Sequence, residues 1–440
     1  MEMTRRNFMG AMAAAGAGAA GLVSTAFAQS DEEIDAESAD IATQLADATD
    51  DEILAWLRDE TPVTEDYVTA DGTVVPAVYI NLRNRINRTG AGVGSHPTDY
   101  SWAFLMDSFT EEQAEAYMSF PLLKWFQVAD LDLDARTEEE WLEICEDLSL
   151  RGLLYRAYRG GIPRFHTLTW VHGMFEFSMN RYEEDGFLGK IFGIGGTDIN
   201  LWYTDTPVYH PMPVSADVVS DSRVLPYDDW KAIVARNTTI AVAPCQCRNS
   251  RRIMGTLSED CDHPMETCMA FGECAEYYIE NGIGRQIDQE EAEQILQRSV
   301  DAGMVIESEF TKQSEVICSC HGDCCYLLGT VIAAGGDLPA MANISNYVLE
   351  LDKDVCIQCG ACESRCPLYA VSLDTEDGYP AMNACCVKCG QCATVCPVGA
   401  RSLHVRPEEE QLELAEDMLG DYTDKAIGRA RKGLIVDFVG

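Results

Sequence analysis

Cys356, Cys359, Cys362 and Cys366 are followed at once by Pro367, and the same spacing returns at Cys386, Cys389, Cys392, Cys396 and Pro397. The two runs are offset by 30 residues, and Gly360 and Ala370 recur at Gly390 and Ala400. A repeat this regular describes one structural unit used twice. Thiolates so closely spaced ligate metal more readily than they form a disulfide scaffold. The 19 cysteines are an odd number, all lie after residue 144, and 440 residues bury a core without cross-links. Zinc sites also use closely spaced cysteines, but zinc ribbons rarely repeat three-plus-one with a trailing proline.

These runs resemble the bacterial dicluster ferredoxin, over about residues 346 to 406. The resemblance implies two 4Fe-4S clusters. A tight loop turns three thiolates toward one cube, and the fourth cysteine, directed onward by the proline, reaches the other. Carried over residue by residue, Cys356, Cys359, Cys362 and Cys396 hold one cluster, and Cys386, Cys389, Cys392 and Cys366 hold the second. Cys385 has no slot in this scheme and is read as structural.

A second constellation lies upstream. Pro244-Cys245-Gln-Cys247-Arg248 is followed by Cys261, Cys268 and Cys274, then by Cys318-Ser-Cys320-His321-Gly-Asp-Cys324-Cys325. With Gly282-Ile-Gly284-Arg285, it resembles an anaerobe ferredoxin-like family that carries Pro-Cys-x-Cys-Arg ahead of a dicluster domain, here over about residues 140 to 406. Ser319, His321 and Asp323 interrupt the later cysteine group, a departure from that family's pattern. Cys245, Cys247, Cys261 and Cys268 are candidates for one further site. Cys318, Cys320, Cys324 and Cys325 are candidates for another, or for a mixed site with His321. The expected cofactor there is an additional iron–sulfur cluster or zinc, against buried thiols or a disulfide-forming redox pair. Arg248 and Arg285 either neutralise an anionic centre or pair with carboxylates, the second being the simpler expectation. Cys145 sits alone on a helical face and reads as core, and His166, His172 and His210 read as isolated structural residues.

The elements that must carry these residues form an α+β, multidomain chain. An acidic lead-in over 29–62 precedes a winged-helix-like α/β region over 63–224. A Cys-rich middle domain spans 225–345, the ferredoxin domain 346–406 and a tail 407–440. Thr110-Glu-Glu-Gln113 and Thr137-Glu-Glu-Glu140 read as capping boxes. Leu153–Tyr158 and Phe165–Trp170 read as a hairpin that serves packing. Asp228 and Asp288 are expected helix caps. The apolar end at Leu434–Val439 is expected to dock on the chain's own core.

Residues 1–28 contain Thr4-Arg5-Arg6-Asn7-Phe8 and end Ala26-Phe27-Ala28, which resembles a twin-arginine export signal. It implies a location in the periplasm or on the outer face of the cytoplasmic membrane, after folding with metal in a reducing cytoplasm. No other segment reaches the roughly 20 apolar residues of a membrane span. A formal charge of −41 argues against nucleic-acid binding. The expected function is a relay of single electrons to or from a redox partner protein or membrane electron-transport component, with no catalytic residue assigned. The alternatives are a terminal reductase, like the exported reductive dehalogenases, with its own flavin or corrinoid, and a thiol redox sensor.

Overall fold

Short polar motifs set the helix starts. In the computed structural model, which describes residues 30–93, 99–193, 202–220 and 224–439, both expected capping boxes close. Gln113 N donates to Thr110 Oγ1 at 3.2 Å and Thr110 N returns a bond to Gln113 Oε1 at 3.0 Å, opening the helix Glu111–Tyr117. Thr137 and Glu140 exchange the same pair at the start of Glu138–Leu150. Asp288 accepts from Glu291 N at 2.8 Å and caps Gln289–Asp301. The cap expected at Asp228 belongs instead to Asp229, which accepts from Lys231 N and Ala232 N. Asp228 is turned inward and meets His210 Nε2 at 2.9 Å. The export signal read at residues 1–28 lies outside the described residues.

With 41% helix and 16% strand among the described residues, this is a mixed helix and sheet protein, in accord with the α+β reading. The expected hairpin is Leu154–Arg159 paired with Ile162–Thr167. Its inner face is aromatic: Tyr155 stacks on Tyr277 at 5.2 Å and lies 4.8 Å from the His166 ring. The middle of the chain builds one antiparallel sheet from β1 (Tyr209–Met212), β2 (Ile240–Pro244), β3 (Glu266–Phe271), β4 (Arg285–Ile287), β5 (Val305–Glu309) and β6 (Val316–Cys320), in the spatial order β1-β5-β6-β3-β2-β4. Its edge strand β1 lies upstream of residue 225, where the sequence suggests a boundary.

Period-two alternation sorts this sheet into two faces. Ile240, Val242, Met269, Phe271, Ile306 and Ile317 pack under the helices Trp230–Arg236 and Gln289–Asp301. Their neighbours Cys268, Val305, Val316 and Cys320 point the other way, into the larger core shared with the N-terminal region and the cysteine-rich C-terminal region. The tail closes the N-terminal region. Arg429, on the helix Met418–Arg431, is buried and donates to the carbonyls of Asn87 and Thr89 at 2.8 and 2.9 Å. Arg88 pairs with Asp437, and Ile435 and Val436 are buried, so the apolar end docks as expected. Among the described residues no helix is long and apolar enough to cross a membrane.

Candidate metal centres

Cys356-x-x-Cys359-Gly360 wraps tightly because Gln358 and Gly360 both adopt left-handed backbone, at φ 56° and 78°. Lys388 and Gly390 repeat this at 58° and 85°. Such coiling turns successive amides toward one point, the geometry of an anion-binding nest. Each loop leads into a one-turn helix, Ala361–Arg365 or Gln391–Thr394. The repeated alanines have a job as well: Ala370 N donates to Cys366 Sγ at 3.2 Å and Ala400 N to Cys396 Sγ at 3.1 Å.

Two cavities result. One, of about 330 Å³, is lined by Cys356, Cys359, Cys362 and Cys396. The other, of about 300 Å³, is lined by Cys366, Cys386, Cys389 and Cys392. Each therefore gathers three cysteines from one run and the last cysteine of the other. Burial pushes the Cys392 thiol up to about 12 and raises that of Cys389 well above its usual range. Such thiols keep their protons at neutral pH unless a metal cation replaces them, so an all-sulfur donor set suits a soft, thiophilic centre. Residues 355–400 match the family model of the 4Fe-4S dicluster domain. The C-terminal domain is thus ferredoxin-type, and it binds iron–sulfur cofactor. No curated protein and no solved structure matches the chain.

The dicluster domain is tied to the segments flanking the middle sheet by hydrogen bonds to backbone carbonyls. Val214 N donates to Cys389 O at 3.1 Å, Gly322 N to Pro367 O at 3.0 Å, and Gln391 Nε2 to Met304 O at 2.7 Å. Cys385 lies outside both cavities, with its thiol 3.7 Å from Val331 O.

A third and larger cavity, about 580 Å³, opens on the core face of the sheet. Six cysteines line it: Cys245, Cys247, Cys268, Cys318, Cys320 and Cys325. Cys268, Cys318 and Cys320 arrive by strand alternation. Cys245 and Cys325 are the N-caps of the helices Gln246–Ile253 and Tyr326–Ala333, which leave the ends of the sheet. Glu307, opposite Cys318 in the β5–β6 register, also lines the cavity, and burial pushes its carboxyl up to about 7. Its ligand oxygen and the sulfurs of Cys320 and Cys325 lie within 4.8 Å of one another. His172, expected to be merely structural, is on this wall, and burial holds its imidazole down to about 3.

The structure distributes the middle cysteines differently from the two sets read in the sequence. Cys261 and Cys324 leave their expected sets and join His263 and Asp323, again with ligand atoms within 4.8 Å. Cys324 and Cys325 are adjacent, but Cys325 turns into the cavity as a helix cap while Cys324 faces the loop before β3. His321 is beside this second group, its Nδ1 2.9 Å from Asp323 and its ring 4.4 Å from that of His263. Burial disfavours ionised Asp323, yet hydrogen bonds from His263 and His321 outweigh it and hold the carboxyl below its usual range. Cys261 is held down to about 6, chiefly by a hydrogen bond from the Cys324 thiol. Cys274 and Cys145 are buried and belong to neither group.

The arginines divide. Arg285 pairs with Glu266 and Glu291 on the surface, the simpler expectation. Arg248 is buried and donates to Cys324 Sγ at 3.7 Å and Ser319 O at 3.1 Å, so it serves the thiol region. Glu307 and His263 were missed by reading cysteines alone. Their signals are present, as a carboxylate on the core-facing phase of an apolar strand and as a Cys-x-His pair.

Proposed function

We propose that this protein is an electron-transfer component carrying two 4Fe-4S clusters, one on Cys356, Cys359, Cys362 and Cys396 and the other on Cys366, Cys386, Cys389 and Cys392. The observation that carries this is the exchange of the fourth cysteine between two cavities of nearly equal size inside the matched domain. Two clusters held so close together pass single electrons with little rearrangement of their cages, leaving placement and tuning to the protein. The twin-arginine-like start supports export and a role outside the cytoplasm. The charge of −41 favours a redox partner with a basic docking face. Neither the terminal-reductase nor the thiol-sensor alternative gains support from the family match.

A further iron–sulfur centre in the middle cavity belongs to the same reading. Six cysteines and Glu307 are among the residues that line it, and its space, about 580 Å³ with the opening included, exceeds the about 330 and 300 Å³ of the four-cysteine cavities. The test is anaerobic purification, iron analysis and low-temperature paramagnetic resonance after dithionite. About 8 iron per chain with two interacting reduced signals is the expected minimum, and more than about 8 reports the middle centre. Colourless, iron-free protein refutes the proposal.

A further inference from the structure

Between the helix Gln246–Ile253 and β3 the chain runs for residues 254–265 without helix or strand. Its ends are tied, Met254 N and Gly255 N to the preceding helix and Met265 O to Cys245 N at 2.6 Å, but between them Thr256 N and Leu257 N turn back to Arg251 O and Cys261 N reaches Ser258 O. Yet this loop holds Cys261 and His263 against the turn that carries Asp323 and Cys324, some 60 residues later in the sequence. His263 has its side chain only 9% exposed, and its Nδ1 is buried without a hydrogen-bond partner. The middle of the loop is held to that turn by His263 Nε2, 3.3 Å from Asp323 Oδ2, and the orphaned Nδ1 beside two thiols and a carboxylate calls for a Lewis acid to take its lone pair or a partner to take its proton.

We infer that Cys261, His263, Asp323 and Cys324 form a mononuclear zinc site that pins this loop to the middle domain. Two sulfurs, one imidazole nitrogen and one carboxylate oxygen are a four-ligand set that tetrahedral zinc accepts. At zinc bond lengths of about 2.0–2.3 Å the ligand atoms of a tetrahedron stand roughly 3.3–3.8 Å apart, so a group already within 4.8 Å closes on the ion by small side-chain rotations. The outer groups are in position. Arg248 donates to Cys324 Sγ at 3.7 Å and balances the excess negative charge that two thiolates and a carboxylate leave on a divalent ion. His321, 2.9 Å from Asp323, orients the carboxylate. Arg251 Nε fixes the Cys324 carbonyl at 2.9 Å.

The site stands apart from the iron–sulfur reading, since none of its four residues is among the cluster cysteines or the lining of the large cavity. Its position gives it a purpose. The same turn touches the dicluster domain through Gly322 N and Pro367 O, and the His321 ring stands 6.3 Å from that of Tyr369. Zinc here clips loop, turn and dicluster domain into one unit, and takes no part in electron transfer because the ion has no accessible second redox state.

The full-length protein, purified anaerobically without added metal, is examined by elemental analysis and by X-ray absorption at the zinc edge. The expected result is about one zinc per chain with a shell of two sulfurs and two nitrogen or oxygen atoms. His263→Gln and Asp323→Asn are each expected to lose that zinc while iron stays at the wild-type value. Absence of zinc, iron in its place, a shell of four sulfurs, or full zinc retention in both variants overturns the inference. If neither variant folds, the wild-type scattering shell alone decides. Zinc and iron are counted separately, so failure here and failure of the electron-transfer reading are told apart.

Discussion

Replacing Gly336 by Ala tests the contact that positions the second cluster loop. Gly336 follows the helix Tyr326–Ala333 at φ +75°, and an added Cβ would stand 2.3 Å from the Ala384 carbonyl carbon and 2.6 Å from Cys385 N. Restoring ordinary carbon contact of about 3.5 Å requires a shift of roughly 1 Å. The left-handed backbone costs an Ala about 1–2 kcal/mol, and the steric conflict adds about 1–3 kcal/mol. Energy is not the whole effect. Ala384 and Cys385 immediately precede Cys386, and metal-ligand distances tolerate only about 0.2 Å. Gly336→Ala is therefore expected to lose about four iron per chain and to abolish the coupling between reduced signals, leaving one cluster's spectrum. Gly378→Ala is the control: φ is +70° there, but the nearest atom, on Gln358, is 3.7 Å away, so it carries the backbone cost alone. Equal iron and equal thermal midpoints in the two variants would refute the reasoning.

Cys359→Ser is expected to lower iron content, whereas Cys385→Ser, outside both cavities, is expected to leave it unchanged; anaerobic iron analysis compares them. Burial pushes the Glu315 carboxyl up from 4.5 to about 8, helped by Glu309, Glu273 and Asp417. Between those values the folded state keeps a proton that the unfolded chain has lost, so stability falls as pH rises, by at most about 1.4 kcal/mol per pH unit. Glu315→Gln is expected to flatten the decline in anaerobic melting temperature between pH 5 and 8, and parallel curves for the two proteins would contradict this. Arg429→Met strands the carbonyls of Asn87, Thr89 and Gly90 that the guanidinium now satisfies, at a cost of about 3–5 kcal/mol in denaturant unfolding. A loss under about 1 kcal/mol would show that those carbonyls find other partners.

What could be read from the sequence was local. The dicluster runs declare themselves because the turns that form them lie within ten residues, and the capping boxes at Thr110 and Thr137 need only four. Asp228 and Asp229 show the limit of such reading. Both are capping residues by type, and the choice was made by His210, a partner 18 residues away on β1. The middle cysteines are likewise distributed by contacts distant in sequence. Whether Cys268 meets Cys318 or Cys261 depends on strand register and on which face of the sheet each side chain takes, and Cys324 and Cys325 part company at a helix cap that no spacing rule reveals. Strand alternation, once the pairing Ile317 with Met269 is known, explains the sorting.

The docking of the C-terminal tail on the N-terminal region has a temporal consequence. Arg429 and Asp437, which close on Asn87 and Arg88, are synthesised about 340 residues after them. By the time they emerge from the ribosome, all 19 cysteines have already done so. These contacts of the N-terminal core therefore form only after all the cysteine-bearing chain has been made.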